Sequence, residues 1–443
     1  MSALSASIVI PCYNKVATLS EVLVALRRQT YAHDLFEVLI VDDGSTDEIR
    51  DLAAREQTPR VRFEWLGPHS EVCPARVRNH GLEEARGDVV IFLDADILVG
   101  PDFVSEHVHA HASCGADAAI IGYVHAYGAT ASSRRPEVVR APPLAGLCDA
   151  LPQLLQADPK RWLDGRENHY RIWPDLARCP MPWFYYWTGN ISVGRLLARE
   201  VGGFDESFKN WGFEDIEFGY RLWKRGLSFA LRRAAWGFHY PHPTASDEQK
   251  WINLRQFLAK HSEPYPELGC FSIAHFHQPH AARVRWEVLD RLAAPPRALQ
   301  PTAEEFAACT TLARHGHGRP VAWFGEQPAI PHRDAKPEFV SRPFQPEREA
   351  GCAGLLGLAL PHSDSAFGAA VLWDYWQHLS PAALRFCLTE VSRVADTCIL
   401  GSSGPTGHAD AFVATVLADH DDLTAEVVEL PGGGRVHSIR RKR

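Results

Sequence analysis

Apolar positions in the opening stretch of the chain fall into two alternating patterns. Ser7–Ile10 is a short apolar run halted by Pro11 and predicts a buried strand. From Thr18 to Gln29, Leu19, Val22, Leu23 and Leu26 recur with helical spacing, and Thr18 stands where an N-cap belongs. Phe36–Val41 predicts a second strand, Glu48–Arg55 a helix, Val61–Trp65 a third strand and Ala75–Ala85 another helix. Asp88–Leu93 is the most strand-like run of all. Strands alternating with helices imply a parallel sheet covered on both faces, with ligands at the carboxyl ends of the strands. Acidic residues stand at two such ends, Asp42/Asp43 and Asp94/Asp96. The predicted class is therefore α/β, with a Rossmann-like, mostly parallel sheet.

The periodicity lapses from about residue 129 to residue 181, where Pro, Arg and Trp dominate. This stretch reads as an irregular insertion with one or two helices, placed to act as a lid over an acceptor. Order returns near Trp183 and continues through helices at Asp215–Arg225 and Gln249–Lys260. After Arg283, Pro295, Pro296 and Pro301 mark a domain edge. A second alternating unit follows, with strands at Val321–Phe324, Ala369–Trp373, Cys398–Leu400 and Glu426–Leu430. Its helices are expected at Ala303–His315, Pro381–Val394 and Ala409–Ala418. The expected organisation is a first domain over 1–282, a linker over 283–302 and a smaller α/β domain over 303–443.

Composition narrows the function. A chain of 443 residues accommodates two or three domains at ~150 residues each. With 46 Lys and Arg against 54 Asp and Glu, the formal charge is −8, which offers no footprint for nucleic acid. The basic tail Arg440–Arg443 reads as a solvated end. No apolar run approaches the ~20 residues needed to cross a bilayer. The start lacks a basic region followed by a long apolar segment, and the 10 cysteines are scattered without a CxxC pair. A cytoplasmic protein without transmembrane segments is expected.

Two clusters carry the candidate chemistry. In Leu93-Asp94-Ala95-Asp96, two carboxylates one residue apart at a strand end can approach one hard cation, which also takes phosphate oxygens and water. In Val41–Asp47, Ser45 and Asp47 suit a turn and helix cap, but the doubled Asp42-Asp43 needs another use. A carboxylate there can accept the N3–H of a uracil ring. Trp183–Trp187 suits either a core strand or a platform for the apolar face of an acceptor sugar. His107 and His111 are four apart, but no acidic partner accompanies them, and a solvated helix face is expected. His275-x-His277 is equally bare.

Taken together and in order, Ile8–Asn14, Val41–Ser45, Ala75–Asn79 and Phe92–Asp96 resemble the motifs of family 2 glycosyltransferases. Thr188-Gly189-Asn190, Gly202–Glu206 and Trp211–Asp215 continue the match. The last of these, extended to Leu222, is similar to the galactosyltransferase-type segment of chondroitin-polymerase-like enzymes. The resemblance covers roughly residues 5–262 and implies a GT-A fold acting on a nucleotide-activated sugar. It implies that Pro11, Tyr13 and Asp43 hold uracil, with Asn14 alongside, and that Arg78 lies near the nucleotide and diphosphate. Asp94 would contact the ribose or a metal-bound water, beside Ala95, and Asp96 would bind Mn²⁺ or Mg²⁺. His239 would complete the metal site together with Asp96 and Asp94, with His242 as the fallback. Gly189 and Asn190 would touch the nucleotide sugar, and Trp211 would wall the sugar pocket.

A displacement at the sugar C1 needs a base on the attacking face and positive charge on the leaving face. Asp215 is the candidate base, and Glu214 would bind acceptor or donor hydroxyls. Their bland alternative is to complement a helix dipole. Pro361–Leu379 resembles the middle of class I methyltransferases, and Gly432–Gly434 before Arg435–Ile439 fits that fold's terminal hairpin. The glycine-rich loop expected after the first strand is replaced by Val321–Pro328, so a degenerate domain serving acceptor docking or assembly is expected. The leading expectation is a metal-dependent, inverting transferase that moves a sugar from a UDP-sugar. The acceptor, whether peptide, natural product or glycan, stays open. A bifunctional glycosyltransferase and methyltransferase, and a non-catalytic nucleotide-sugar-binding scaffold, are the alternatives.

Overall fold

The computed structural model describes all residues except 1–2, 57–58, 69–70, 116, 127–141, 243–246, 275–278, 294–299, 315–318, 328–336, 338, 344–352, 403–405, 419–420, 431–434 and 443. The chain divides into two compact units, Met1–Asn253 and Leu254–Arg443. The edge expected at residue 282 is thus earlier, and the expected linker range carries a helix, Pro279–Ala293. The physical reason is visible at Glu267, whose buried carboxylate accepts backbone N–H groups from Leu356, Leu358 and Ala359 of the second unit.

In the first unit the order is β1 (Ala6–Cys12), α1 (Val16–Arg27), β2 (Phe36–Asp42), α2 (Ile49–Arg55), β3 (Arg60–Trp65), α3 (Pro74–Glu84), β4 (Val89–Leu93) and β5 (Ile97–Val99). It continues with α4 (Phe103–Cys114), β6 (Ala118–His125), α5 (Leu147–Ala157), α6 (Glu167–Ile172), β7 (Asn190–Gly194), α7 (Arg195–Glu200), α8 (Glu214–Lys224), β8 (Ser228–His239) and α9 (Asp247–Lys260). The sheet runs β3-β2-β1-β4-β7-β6-β8-β5. Its β1–β2, β2–β3, β1–β4 and β6–β8 pairings are parallel, whereas β4–β7, β6–β7 and β5–β8 are antiparallel. The α/β expectation holds, with a parallel-rich sheet.

Apolar alternation explains both faces of this sheet. Ile8, Ile10, Val38 and Ile40 pack with Leu19, Val22, Leu23 and Leu26 of α1 in one core. On β1, Val9 meets α3, where a Cβ on Gly81 would lie 2.2 Å from Val9 Cγ1, so the helix sits close only because that residue is glycine. Helix α1 begins at Val16, before the expected cap at Thr18. Asp47 accepts the Val16 N–H at 2.9 Å, so the cap comes from the loop after β2, and Thr18 Oγ1 donates to the Lys15 carbonyl. The two expected helices of the insertion are α5 and α6; residues 129–141 of it, and so the lid expectation, lie outside the described residues.

The aromatic run is neither a strand nor an open platform. Pro182–Tyr185 forms a 3₁₀ turn, and Trp183, Phe184, Tyr185 and Tyr186 are buried. His107 and His111, expected on a solvated face, are core residues. His107 bridges Ser192 Oγ and Asn190 Oδ1, each at 2.8 Å, and His111 Nε2 meets Ser192 Oγ at 2.9 Å.

The second unit contains α10 (Pro264–Ala274), α11 (Pro279–Ala293), α12 (Ala303–Arg314), β9 (Val321–Phe324), β10 (Phe339–Ser341), β11 (Phe367–Trp373) and α13 (Pro381–Val394). After these come β12 (Ala395–Gly401), α14 (Thr406–Leu417), β13 (Leu423–Glu429) and β14 (Arg435–Arg441). Its sheet order is β10-β9-β11-β12-β14-β13, parallel from β10 to β12 and antiparallel at β14. The expected terminal hairpin is β13–β14, which draws Arg440 and Arg441 of the basic tail into a strand. Residues 432–434, His275 and His277 lie outside the described residues. Among the described residues no helix is long and apolar enough to cross a membrane.

The histidine core makes stability depend on pH. Burial holds the His107 imidazole down at about 3 and that of His111 at about 4. The unfolded chain takes up protons below the ordinary value of 6.5 that the folded chain refuses, so this stability is complete above 6.5 and is lost as pH falls. Between about pH 7 and about pH 5, His107 alone accounts for a loss of about 2 kcal/mol. Urea unfolding at the two pH values is expected to show a loss in His107→Gln smaller than in the wild type by roughly that amount. Equal losses would contradict a neutral buried His107.

Candidate active site

The carboxyl ends of β1 and β2 are locked together by short polar side chains. Asn14 takes a left-handed conformation at φ 51°. Its N–H donates to Ser45 Oγ at 2.8 Å, and its Oδ1 accepts the Thr46 N–H at 2.8 Å. Ser45 in turn donates through both N–H and Oγ to Asp42 Oδ1. The turn chemistry read at Ser45 and Asp47 is therefore present, and Asp42 belongs to it. Asp43 is placed differently. Its N–H donates to the Cys12 carbonyl at 2.9 Å, and its buried carboxylate accepts from Arg76 Nη2 at 2.8 Å. Tyr13 next to this corner is 52% exposed, and Pro11 is partly buried.

Asp94-Ala95-Asp96 forms the tight turn from β4 into β5, closed by the Ile97 N–H donating to the Asp94 carbonyl at 3.2 Å. Gly189 packs against this turn at φ 106°, and a Cβ there would lie 2.7 Å from Ile97 Cδ1 and 3.1 Å from Asp94 Oδ2. Strand β5 pairs antiparallel with β8, which sets Ile97 opposite His239. The Tyr240 N–H then donates to the Asp96 carbonyl at 2.8 Å. As a result His242 Nε2 lies 3.1 Å and His239 Nε2 3.9 Å from the Asp96 carboxylate. Lys15 Nζ reaches the same carboxylate at 3.1 Å.

One ligand atom from each of Asp96, His239 and His242 lies within 4.8 Å of the other two. One carboxylate oxygen and two imidazole nitrogens fit a divalent transition ion such as Mn²⁺; Mg²⁺ prefers an all-oxygen shell. Burial lowers the His239 imidazole below its ordinary value, against the pull of Asp96. Burial alone would raise the Asp96 carboxyl, but the His242 hydrogen bond and the charges at His239 and Lys15 hold it well below the usual carboxylate range. Asp94, expected as a ligand, does not join this group. Its Oδ1 is taken by Arg78 Nη2 at 3.2 Å. His242, the expected fallback, sits closer to Asp96 than His239 does.

The acidic pair opens helix α8 from a strained loop. Asn210 and Phe213 take φ values of 57° and 73°, and Gly212, between them in the chain, takes 111°. A left-handed Phe costs about 1 kcal/mol or more, and it persists because neighbours hold the loop. Asn253 Nδ2 donates to the carbonyls of Lys209 and Gly212 at 2.9 and 2.8 Å. Glu214 is buried, accepting from Arg78 Nη1 at 2.9 Å and from the Gly212 N–H at 3.0 Å. Burial and the adjacent Asp215 charge push its carboxyl up to about 7 against the pull of Arg78. Asp215 is half-buried and accepts from the Thr188 N–H at 2.9 Å, Thr188 Oγ1 at 3.3 Å and the Ile216 N–H at 2.8 Å.

Arg78 thus joins the β4 turn to the start of α8, and Thr188-Gly189 joins Asp215 to Asp94. Of the residues singled out in the sequence, Arg78, Asp94, Asp96, Gly189, Glu214, Asp215 and His239 converge through these contacts. Asn190 does not. Its side chain is fully buried, donating to the carbonyls of Ala235 and Tyr123 and meeting His107, so it is a core residue rather than a sugar contact. Ala95 is buried, and Trp211 is 53% exposed on the loop before α8. Lys15 and Arg76 were missed by sequence reasoning. Lys15 carried a signal, since a cation at a helix N-terminus opposes the helix dipole and calls for a nearby anion. Arg76 carried none beyond its place two residues before Arg78.

Residues 7–165 match the Glycosyl transferase family 2 domain, and residues 168–243 match the N-terminal domain of galactosyltransferase. Validoxylamine A glucosyltransferase of Streptomyces hygroscopicus subsp. jinggangensis is 33% identical over 330 residues, covering 72% of this chain and 75% of that protein. Chondroitin synthase of Escherichia coli is 29% identical over 277 residues, covering 58% of this chain but 38% of its own length. Among solved structures, S. aureus TarS 1-349 in complex with UDP-GlcNAc is similar at a TM-score of 0.43 and 14% identity, over 66% of this chain and 82% of that chain. On its sequence relatives and matching domains, the chain belongs to the family 2 glycosyltransferases.

Proposed function

We propose that this glycosyltransferase uses a UDP-sugar, depends on a divalent ion and inverts configuration at the sugar C1. The observation that carries the reading is the donor set of Asp96, His239 and His242 beside an acid pair whose two members are held apart in role. These three residues would hold Mn²⁺ in preference to Mg²⁺, and the ion would supply positive charge to the diphosphate as the C1–oxygen bond breaks.

The chain's own residues do the rest. Asp43 accepts the uracil N3–H, exchanging its Arg76 partner for the base edge, and Tyr13 covers the ring. Asp215 takes the proton of the acceptor hydroxyl as that oxygen attacks C1 from the face opposite the diphosphate. Thr188 and the helix start fix the Asp215 carboxylate for this task. Glu214, buried and tied to Arg78 and the Gly212 N–H, binds donor or acceptor hydroxyls in this reading.

Similarity to a glucosyltransferase named for one defined acceptor, validoxylamine A, supports a glucosyl donor and a single transfer to a natural product over chain polymerisation. The second unit, whose first strand runs into Phe324-Gly325-Glu326-Gln327 instead of a glycine-rich loop, serves acceptor docking or assembly in this reading.

Asp215→Asn is expected to bind UDP as the wild type does and to lose transfer by about 10²–10⁴-fold, measured as UDP release against calorimetric UDP affinity. Full transfer in this variant would remove Asp215 as the base. Dialysis against EDTA is expected to abolish transfer, with Mn²⁺ restoring it better than Mg²⁺. Asp96→Ala is expected to lose the metal-dependent part of UDP affinity. Undiminished activity after chelation would refute the divalent-ion reading.

A further inference from the structure

Lys15 stands where simple helix physics disfavours it. It occupies the N-cap of α1, and a cation there opposes the positive end of the helix dipole. No acidic residue lies in the first turn of that helix, and the anion on its N-terminus is Asp47, from the loop after β2. The backbone at this point is held on both sides. Asn14 is pinned to Ser45 and Thr46, the Val16 N–H to Asp47, and the Lys15 carbonyl accepts from the Leu19 N–H at 2.9 Å and Thr18 Oγ1 at 3.2 Å. The side chain beyond this fixed root is 35% exposed and flexible along its four methylenes. Its ammonium is committed to Asp96, the carboxylate that also meets His239 and His242.

Charge balance explains the arrangement. Asp96 is only 10% exposed, and a buried carboxylate left alone is costly. The Lys15 ammonium, 3.1 Å from this carboxylate, supplies a permanent opposite charge. A divalent ion on Asp96 would find that cancellation already made, and a third positive charge within a few ångströms would repel it. A diphosphate reverses the sign of this effect, since it adds negative charge that both the ion and the ammonium can meet.

We propose that Lys15 is a resident counter-cation of the metal site: it holds Asp96 until a divalent ion displaces it, and the displaced ammonium then meets the nucleoside diphosphate. The inference rests on the divalent-ion reading above. Its consequence is coupling. The ammonium weakens ion binding in the absence of nucleotide and favours it in the presence of nucleotide, so ion and donor bind as a pair, and by linkage each raises the affinity for the other.

The test is binding of Mn²⁺ itself, followed by loss of the free-ion electron paramagnetic resonance signal, with and without UDP. Lys15→Met keeps the length of the side chain and removes its charge, and Lys15→Arg keeps the charge. Lys15→Met is expected to bind Mn²⁺ alone about tenfold more tightly than the wild type. The gain in Mn²⁺ affinity caused by UDP is expected to shrink by about the same factor. Lys15→Arg is expected to retain the strong coupling of the wild type. If Lys15→Met binds Mn²⁺ alone no better than the wild type while UDP still promotes binding in both, the counter-cation role is overturned and the metal site stands. If neither protein binds Mn²⁺ even with UDP bound, the divalent-ion reading falls, and this inference falls with it.

Discussion

Antiparallel hydrogen bonding between β5 and β8 sets Ile97 opposite His239, and the donor group around Asp96 forms only because of it. The two segments are far apart in the chain, so pairing register rather than local sequence decides which side chains meet. A slip of one residue would turn His239 to the other face of the sheet. The register is secured at both ends. Tyr240 donates to the Asp96 carbonyl, and Gly189 leaves room for the Asp94 turn that feeds β5. Only then do His239 and His242 arrive beside the Asp96 carboxylate.

A second interaction divides the labour among the four acids of the site. Arg78 is buried and holds Asp94 with one nitrogen and Glu214 with the other. Removing a buried partner of this kind strands the remaining charge, which is the more damaging because both acids lie at joints between elements. The bridge keeps Asp94 and Glu214 paired to one guanidinium. In the proposed mechanism the two chemical tasks then fall to Asp96 on the leaving side and Asp215 on the attacking side. Strain at Phe213 belongs to this arrangement, since the left-handed turn delivers Glu214 and Asp215 at the very start of α8.

Much of this could be read from the sequence. Alternating apolar runs gave the β1–β4 core and its helices, because burial on two faces imposes an unmistakable period. The acids at the strand ends were legible because a buried strand rarely ends in two adjacent acids without a use, and the Glu214-Asp215 pair because Trp211–Asp215 resembles a family motif. The failures share one cause. His107 and Asn190 look polar or sugar-binding in sequence but are satisfied inside the core by partners on other elements, such as Ser192 and Ala235, and Trp183–Tyr186 are buried. No local pattern reveals such partners. The role of Arg76 was hidden for the same reason, since its anion Asp43 follows a strand distant in sequence, and the dipole signal at Lys15 did not say which anion it meets. Thr18 was misplaced as a cap because Asp47, distant in sequence, does that work.

In the proposed mechanism one ion and one diphosphate meet at Asp96. It is tested most directly by the anomalous difference map of a crystal grown with UDP and Mn²⁺. The predicted result is a manganese peak ligated by Asp96, His239 and His242 and by a diphosphate oxygen, with uracil on Asp43. A peak ligated by Asp94 instead, or UDP bound with Lys15 still paired to an ion-free Asp96, would contradict it.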